Sequence, residues 1–147
     1  MSEESRSVAA WEALFRAQVA IMRRLGADFP TSEISFNEYD VMYTLSRARG
    51  RALRLRDLNK SVLLTQPSVS RLIDRLAARG FVEKLPDRSD ARGTVIRLTD
   101  AGHEVFYRVA RVHGASIHRV VGDALDADEL AQLTALCTKL RAGLPAD

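Results

Sequence analysis

The sequence predicts a mainly α-helical chain with one small β-hairpin. Apolar residues recur at spacings of three and four over most of its length, which marks helices with one buried face. The stretch "DRSDARGT", Asp87 to Thr94, packs four charges of alternating sign into six residues. Its flanks, "GFVEKLP" and "TVIRLT", are short β-branched and apolar runs of the kind that pair as a hairpin, so the charge falls at a hairpin tip.

The elements follow in order. From Val8 to about Leu25, Trp11, Leu14, Phe15, Gln18, Met22 and Leu25 lie on one helical face, ended by Gly26 and Pro30, with Val19 and Ile21 adding apolar surface beside it. A terminal helix with so wide an apolar face calls for something to pack on it, and a second subunit is the simplest candidate. "SFNEYDVMYTLSRARG" opens with Ser35 and Glu38 spaced as a capping box and runs to Gly50. A short helix around Asp57 to Ser61 and a tight connection through Leu63 and Leu64 lead to a longer helix capped by Thr65. Pro67 sits in the first turn of that helix, and Gly80 ends it. After the hairpin, Thr99 caps a helix from Asp100 to about Gly122. Asp126 and Glu129 then open a last one, with a stripe of Leu130, Leu133, Cys137, Leu140 and Leu144.

At 147 residues the chain is long enough for one compact domain and short for two. Apolar residues at 46% and charged residues at 28% are ordinary for a globular protein, and no apolar run reaches the roughly 18 residues that a membrane span needs. The start "MSEESRSVAA" is acidic and polar, unlike a secretory signal, and the single Cys137 offers no internal disulfide. A soluble, cytoplasmic protein with no membrane partner is expected.

Charge is unevenly placed. Arg47 to Arg97 holds 13 Lys/Arg against 5 Asp/Glu, a net of +8, whereas the rest of the chain is net −5. Such a block is either a solvated surface or a field for a polyanion. The two helices joined by a short turn, with the second one basic, have the outline of a helix-turn-helix, and the hairpin that follows makes it a winged one. At about 100° per residue, Leu72, Ile73 and Leu76 fall near Val69 on the buried stripe of the second helix, with Pro67, Arg71, Asp74 and Ala78 opposite and Ser68, Ser70 and Arg75 flanking. Small and hydrogen-bonding side chains with arginines one turn apart suit entry into the major groove; solvated surface ions remain the other reading. At the tip, a long arginine suits a narrow minor groove, with Asp87 or Asp90 holding its guanidinium, unless the alternating signs serve only solubility.

The run "TQPSVSRLIDRLAARGFVEK", the wing "DRSDARGTVIRLT" and the continuation "LTDAG", in that order and spacing, resemble the multiple antibiotic resistance regulator (MarR) family of bacterial transcription factors. The resemblance covers Ser35 to about Arg111. It implies a winged helix-turn-helix lobe over 35–98, with helices over 8–28 and 99–144 forming the dimerisation layer of a homodimer on a pseudo-palindromic duplex. It also implies a repressor. Matched by position, the DNA-binding candidates are Gln66, Pro67, Ser68, Ser70, Arg71 and Arg75 on the helix, with Arg88, Asp90 and Arg92 on the wing. Arg92 is assigned to the minor groove with Asp90 as its orienting partner. Arg47, Arg49, Arg51, Arg54, Arg56 and Lys60 are left as backbone contacts at most.

Members of the family often release DNA on binding a small aromatic or phenolic effector. Trp11, Phe15, Phe36, Tyr39 and Tyr43 are the candidates to line such a site; core or interface packing is the competing account of the same residues. Cys137 lies on an apolar stripe and is expected to be an inert buried thiol. His103, His113 and His118 lack the spacing of a metal-binding pair, so neither metal nor cofactor is expected. No phosphate loop, nucleophile elbow or acid/base constellation suggests an enzyme. The rival function is a winged-helix protein-interaction adaptor that does not bind DNA, and the basic block with arginine at the wing weighs against it.

Overall fold

Residues 1–62 and 69–145 are described by the computed structural model. Helix α1 spans Glu3–Asp28, α2 Phe36–Arg47, α3 Leu55–Ser61, α4 Val69–Ala78, α5 Asp100–Ile117 and α6 Ala127–Ala142. Strands β1 (Ala52–Arg54), β2 (Val82–Pro86) and β3 (Thr94–Leu98) form one antiparallel sheet in the order β1-β3-β2. The chain divides into two compact units, one of Phe29–Val112 and one of Met1–Asp28 with His113–Asp147.

In the Phe29–Val112 unit, the predicted capping box is formed. The Ser35 N–H donates to Glu38 Oε1 at 2.9 Å, and the Glu38 N–H donates to Ser35 Oγ at 3.1 Å. This starts α2, which ends at Arg47, earlier than the sequence suggested. Gly50 instead lies in the tight turn Arg49–Arg51 at φ 65°, where a residue without a Cβ is unstrained. The turn delivers the chain into β1, a strand absent from the sequence reading: Leu53 pairs with Ile96 and Arg54 with Val95. Helix α3 begins directly from it, two residues before the expected Asp57.

On α4, Val69, Leu72, Ile73 and Leu76 are buried, while Ser70, Arg71, Asp74, Arg75 and Ala78 are exposed, as a 3.6-residue period requires. The predicted cap Thr65, the connection Leu63–Leu64, and Gln66, Pro67 and Ser68 lie outside the described residues. Gly80, at φ 77°, reverses the chain, and the Phe81 N–H reaches back to the Leu76 carbonyl at 2.9 Å. Val41, Met42, Leu45 and Leu58 join the α4 stripe with Ile96 and Leu98 from β3 and Val105, Phe106 and Val109 from α5 in one hydrophobic core.

One junction fixes where the hairpin leaves that core. The Thr99 N–H donates to the Phe81 carbonyl at 3.0 Å, Thr99 Oγ1 donates to the Gly80 carbonyl at 2.6 Å, and the same oxygen accepts from the Gly102 N–H at 3.0 Å as the cap of α5. A Cβ on Gly102 would collide with the Phe81 carbonyl. "LTDAG" thus encodes the contact of the first turn of α5 with the chain just after α4.

In the other unit, α1 is longer at both ends than the Val8–Leu25 expectation. Ser2 Oγ accepts from the Ser5 N–H at 3.1 Å, Glu3 and Glu4 face the positive helix end, and Gly26 is carried inside a last turn braced by Arg24–Asp28 at 3.0 Å. Helix α5 stops at Ile117, and a wider turn over His118–Gly122 replaces the regular helix expected to Gly122: the Asp123 N–H bonds the His118 carbonyl five residues back at 2.9 Å. Gly122 leaves room for the His118 ring there. Asp126 and Glu129 form the predicted capping box of α6, with both bonds at 2.9 Å. Cys137 is half-buried rather than buried, because the stripe it shares with Leu133, Leu140 and Leu144 is largely exposed. No helix among the described residues is long and apolar enough to cross a membrane.

Gly102→Ala is expected to lower stability by about 1–3 kcal/mol or more, the usual cost of forcing atoms into a closed contact. Urea unfolding of the variant measures it, and an unchanged midpoint would show that the junction is not closed as described.

Candidate nucleic-acid interface

The basic block folds into two adjoining features of the Phe29–Val112 unit: the outer face of α4 and the hairpin tip beyond β2 and β3. Their charges are ordered by the carboxylates among them. Asp74, on the outward face of α4, pairs with Lys84 of β2, and Glu83 of β2 pairs across the sheet with Arg97 of β3, its register partner. Exposed pairs of this kind add little stability. Their effect is on the field, since Asp74 would otherwise set an uncompensated negative charge on a positive face.

The tip is closed by its own hydrogen bonds. The Asp87 N–H donates to the Gly93 carbonyl at 3.1 Å and the Gly93 N–H to the Asp90 carbonyl at 2.9 Å. Asp90, expected to orient the Arg92 guanidinium, instead accepts the Arg92 backbone N–H on Oδ1 at 3.0 Å; a short acidic side chain two residues back reaches the backbone of its own turn most easily. Asp87 is the carboxylate that holds a guanidinium, and it holds that of Arg54, whose Nε lies 2.8 Å from Asp87 Oδ2. Asp87 Oδ1 accepts from the Ser89 N–H at 2.9 Å and from Ser89 Oγ at 2.8 Å. Those Ser89 hydrogen bonds, the backbone one foremost, together with the charge of Arg54, hold the Asp87 carboxyl below the ordinary aspartate value.

Arg88 and Arg92 are exposed, and among the described residues neither forms an ion pair. Ser70, Arg71 and Arg75 are exposed on the helix. Gln66, Pro67 and Ser68, the other helix candidates, lie outside the described residues. Of the basic residues left as backbone contacts, Arg51 lies 3.4 Å from Asp100 and Arg54 is engaged by Asp87, whereas Arg47, Arg49 and Lys60 project into solvent. A cleft of about 320 Å³ at the base of the wing is lined by Arg54, Arg56, Asn59, Asp90 and Arg92 among others.

The five aromatics assigned to an effector site fall in two groups. Phe36 and Tyr39 pack against the core of the Phe29–Val112 unit: Phe36 stacks on Phe29 at 4.9 Å, Tyr39 stacks on Phe106 at 5.3 Å, and Tyr43 stacks on Tyr39 at 6.3 Å. Burial raises the Tyr39 phenol above its usual value, and the neighbouring Tyr43 adds to the shift. Trp11 and Phe15 stack on each other at 5.4 Å along α1, in the other unit, and both are exposed. Among the described residues there is no cluster of three or more His, Cys, Asp and Glu able to hold a metal ion.

A compact helical core, a helix with an exposed polar face, and a three-stranded sheet ending in a charged tip define a winged helix-turn-helix. The model of the MarR family matches residues 32–93. Among solved structures the chain is similar to Sco3205, a MarR family transcriptional regulator from Streptomyces coelicolor solved in complex with DNA, at 25% identity and a TM-score of 0.79 over 100% of this chain and 92% of that one. It is similar also to AbsC, another MarR family transcriptional regulator from the same organism, at 25% identity and a TM-score of 0.74 over 97% of each chain. BpsR of Bordetella bronchiseptica, whose DNA binding is regulated by 6-hydroxynicotinic acid, shares the fold at 23% identity and a TM-score of 0.73, over 92% of this chain and 93% of that one. No curated protein sequence matches the chain. Residues 32–93 thus match the MarR family, and the chain as a whole has the fold of its solved members.

Because its folded-state value is lowered, ionised Asp87 orders the tip in full above the ordinary aspartate value, and this contribution is lost as pH falls through the lowered one. The Ser89 amide signal is expected to titrate with a midpoint below that of an ordinary aspartate. A midpoint at the ordinary value would contradict the network.

Proposed function

We propose that the protein is a DNA-binding transcriptional regulator that reads a pseudo-palindromic duplex as a homodimer, with α4 in the major groove and the wing in the adjacent minor groove. The observation that carries this reading is the pairing of an exposed α4 face bearing Ser70, Arg71 and Arg75 with a tip that presents Arg88 and Arg92 to solvent, inside a segment of net charge +8. An adaptor has no use for that field. Sco3205, with the same fold over the whole chain, was solved with DNA bound.

The homodimer is supported by the unit of α1 and α6. Leu25 is the one apolar residue buried there among those described, while Trp11, Phe15, Leu136, Leu140 and Leu144 are each more than half exposed. Apolar surface of that extent on these helices is what a two-fold partner covers. Two copies would then set two recognition helices about one helical turn of DNA apart. Repression, and release by a small aromatic or phenolic acid, are part of the same proposal, supported by the match of residues 32–93 to the MarR family and by the effector of BpsR. Release would be a population shift toward a dimer whose helices no longer match the half-site spacing. A regulator of this kind works in the cytoplasm.

Selection of bound duplexes from a random pool, followed by affinity on the winner at several salt concentrations, tests the reading. It predicts a palindromic winner and a steep loss of affinity with salt; binding that ignores sequence would favour the adaptor. On that duplex Arg92→Ala is expected to weaken binding at A·T-flanked sites more than at G·C-flanked ones, and equal losses would remove its minor-groove role. Arg71→Ala is expected to relax base preference at one position per half-site, at about 1–3 kcal/mol, whereas an unchanged motif would exclude it as a base reader. Leu136→Glu is expected to shift sedimentation toward the monomer, and an unchanged dimer would move the interface elsewhere.

A further inference from the structure

We propose that Arg54, which lies outside the hairpin, is the positioning residue of the wing: by gripping Asp87 and Ser89 it ties the tip to the β1–α3 junction, so that Arg88 and Arg92 stand in one pose before DNA arrives. The proposal rests on the reading of α4 and the wing given above.

The tip, residues 87 to 93, extends past the last sheet pair, Pro86 with Thr94. Its internal bonds, Asp87 to Gly93, Gly93 to Asp90 and Arg92 to Asp90, set its shape and leave its direction open, because a two-stranded ribbon twists and bends readily. Arg54 supplies the tie to the rest of the unit. Its backbone is fixed by pairing with Val95 in β3 and by the start of α3 one residue later. From there Nε meets Asp87 Oδ2 at 2.8 Å, and Nη2 donates to Ser89 Oγ.

The partner of Arg54 is not an ordinary surface carboxylate. The Asp87 side chain is 8% exposed, against 39% for that of Arg54, and Oδ1 is already occupied by both donors of Ser89. Gly93 closes the remaining side, since a Cβ there would stand 3.0 Å from Asp87 Cβ and 3.1 Å from Oδ2. A carboxylate so enclosed is costly to leave without its cation, which gives the latch one preferred state. The geometry also calls for arginine, whose planar fork serves two acceptors at once where a lysine offers a point charge. With its charge committed to Asp87, Arg54 acts on DNA through the tip rather than as a phosphate ligand.

The test is a double-mutant cycle of Arg54→Ala, Asp87→Asn and both together, with Arg54→Lys as the charge-conserving control. In the free protein, backbone ¹⁵N order parameters over Ser89–Gly93 are expected to fall from about 0.85 toward 0.6 or less in both single variants. On duplexes, preference for A·T over G·C flanks is expected to drop roughly three- to tenfold in each single variant, the net magnitude of one hydrogen bond. The double variant should be no worse than either single one, Arg54→Lys should not restore the preference, and the salt slope should stay as it was. A tip that stays rigid in Arg54→Ala overturns the proposal. Additive losses with a shallower salt slope also overturn it, by making Arg54 a phosphate contact. Should Arg54→Ala unfold β1, Asp87→Asn gives the same readouts, because its amide oxygen still accepts from Ser89. Should the protein bind no DNA, the order parameters of the free protein still decide whether the latch exists.

Discussion

The placement of the wing depends on one backbone contact, the Phe81 carbonyl against the first turn of α5. That oxygen accepts the Thr99 N–H, and the Cα of Gly102 lies so near that no side chain fits. Thr99 meanwhile reaches the Gly80 carbonyl just after α4. The end of α4, both ends of the hairpin and the start of α5 therefore meet within a few residues. Since β2 begins one residue after Phe81 and β3 ends one residue before Thr99, the direction of the hairpin relative to α4 is set at its root by hydrogen bonds and close packing.

The acidic residues of the basic segment work on the same problem from the outside. Asp74 meets Lys84 between helix and strand, Glu83 meets Arg97 across the sheet, and Asp87 meets Arg54 between tip and β1. Each spans two elements. The first two are exposed and contribute little free energy, whereas the Asp87 carboxylate is enclosed, and the effect common to all three is geometric: carboxylates are drawn inward to cations of the scaffold, while Arg75, Arg88 and Arg92 keep their charge toward solvent. The net charge of the segment understates how its positive potential is distributed.

Much of this was legible in the sequence wherever the signal was local. The boxes at Ser35–Glu38 and Asp126–Glu129, the Thr99 cap, the α4 stripe and the hairpin all follow from spacings of four residues or fewer or from short alternating runs, and local chemistry decides such features. Strand β1 was not legible. Three residues cannot display an alternation, and Ala52–Arg54 is a strand only because β3 passes beside it more than forty residues later. Distance along the chain likewise hid Arg54 as the partner of Asp87. The alternating charge of "DRSDARGT" pointed to Asp87 or Asp90 holding a wing guanidinium, or to solubility alone; Asp87 holds that of Arg54 from outside the run, and Asp90 took a backbone N–H where a guanidinium was expected. The exposure of Cys137 and its stripe was hidden for a related reason, since periodicity gives a face and not what covers it.

The central claim is that α4 and the wing tip form one DNA-reading surface that is ordered before binding. Backbone amide signals of the labelled protein, followed while a selected duplex is added, test it most directly. The account predicts changes concentrated on Ser70–Arg75 and Arg88–Gly93, with the tip as ordered in the free protein as in the complex. Changes confined to other elements, or a tip that becomes ordered only when DNA is added, would contradict it.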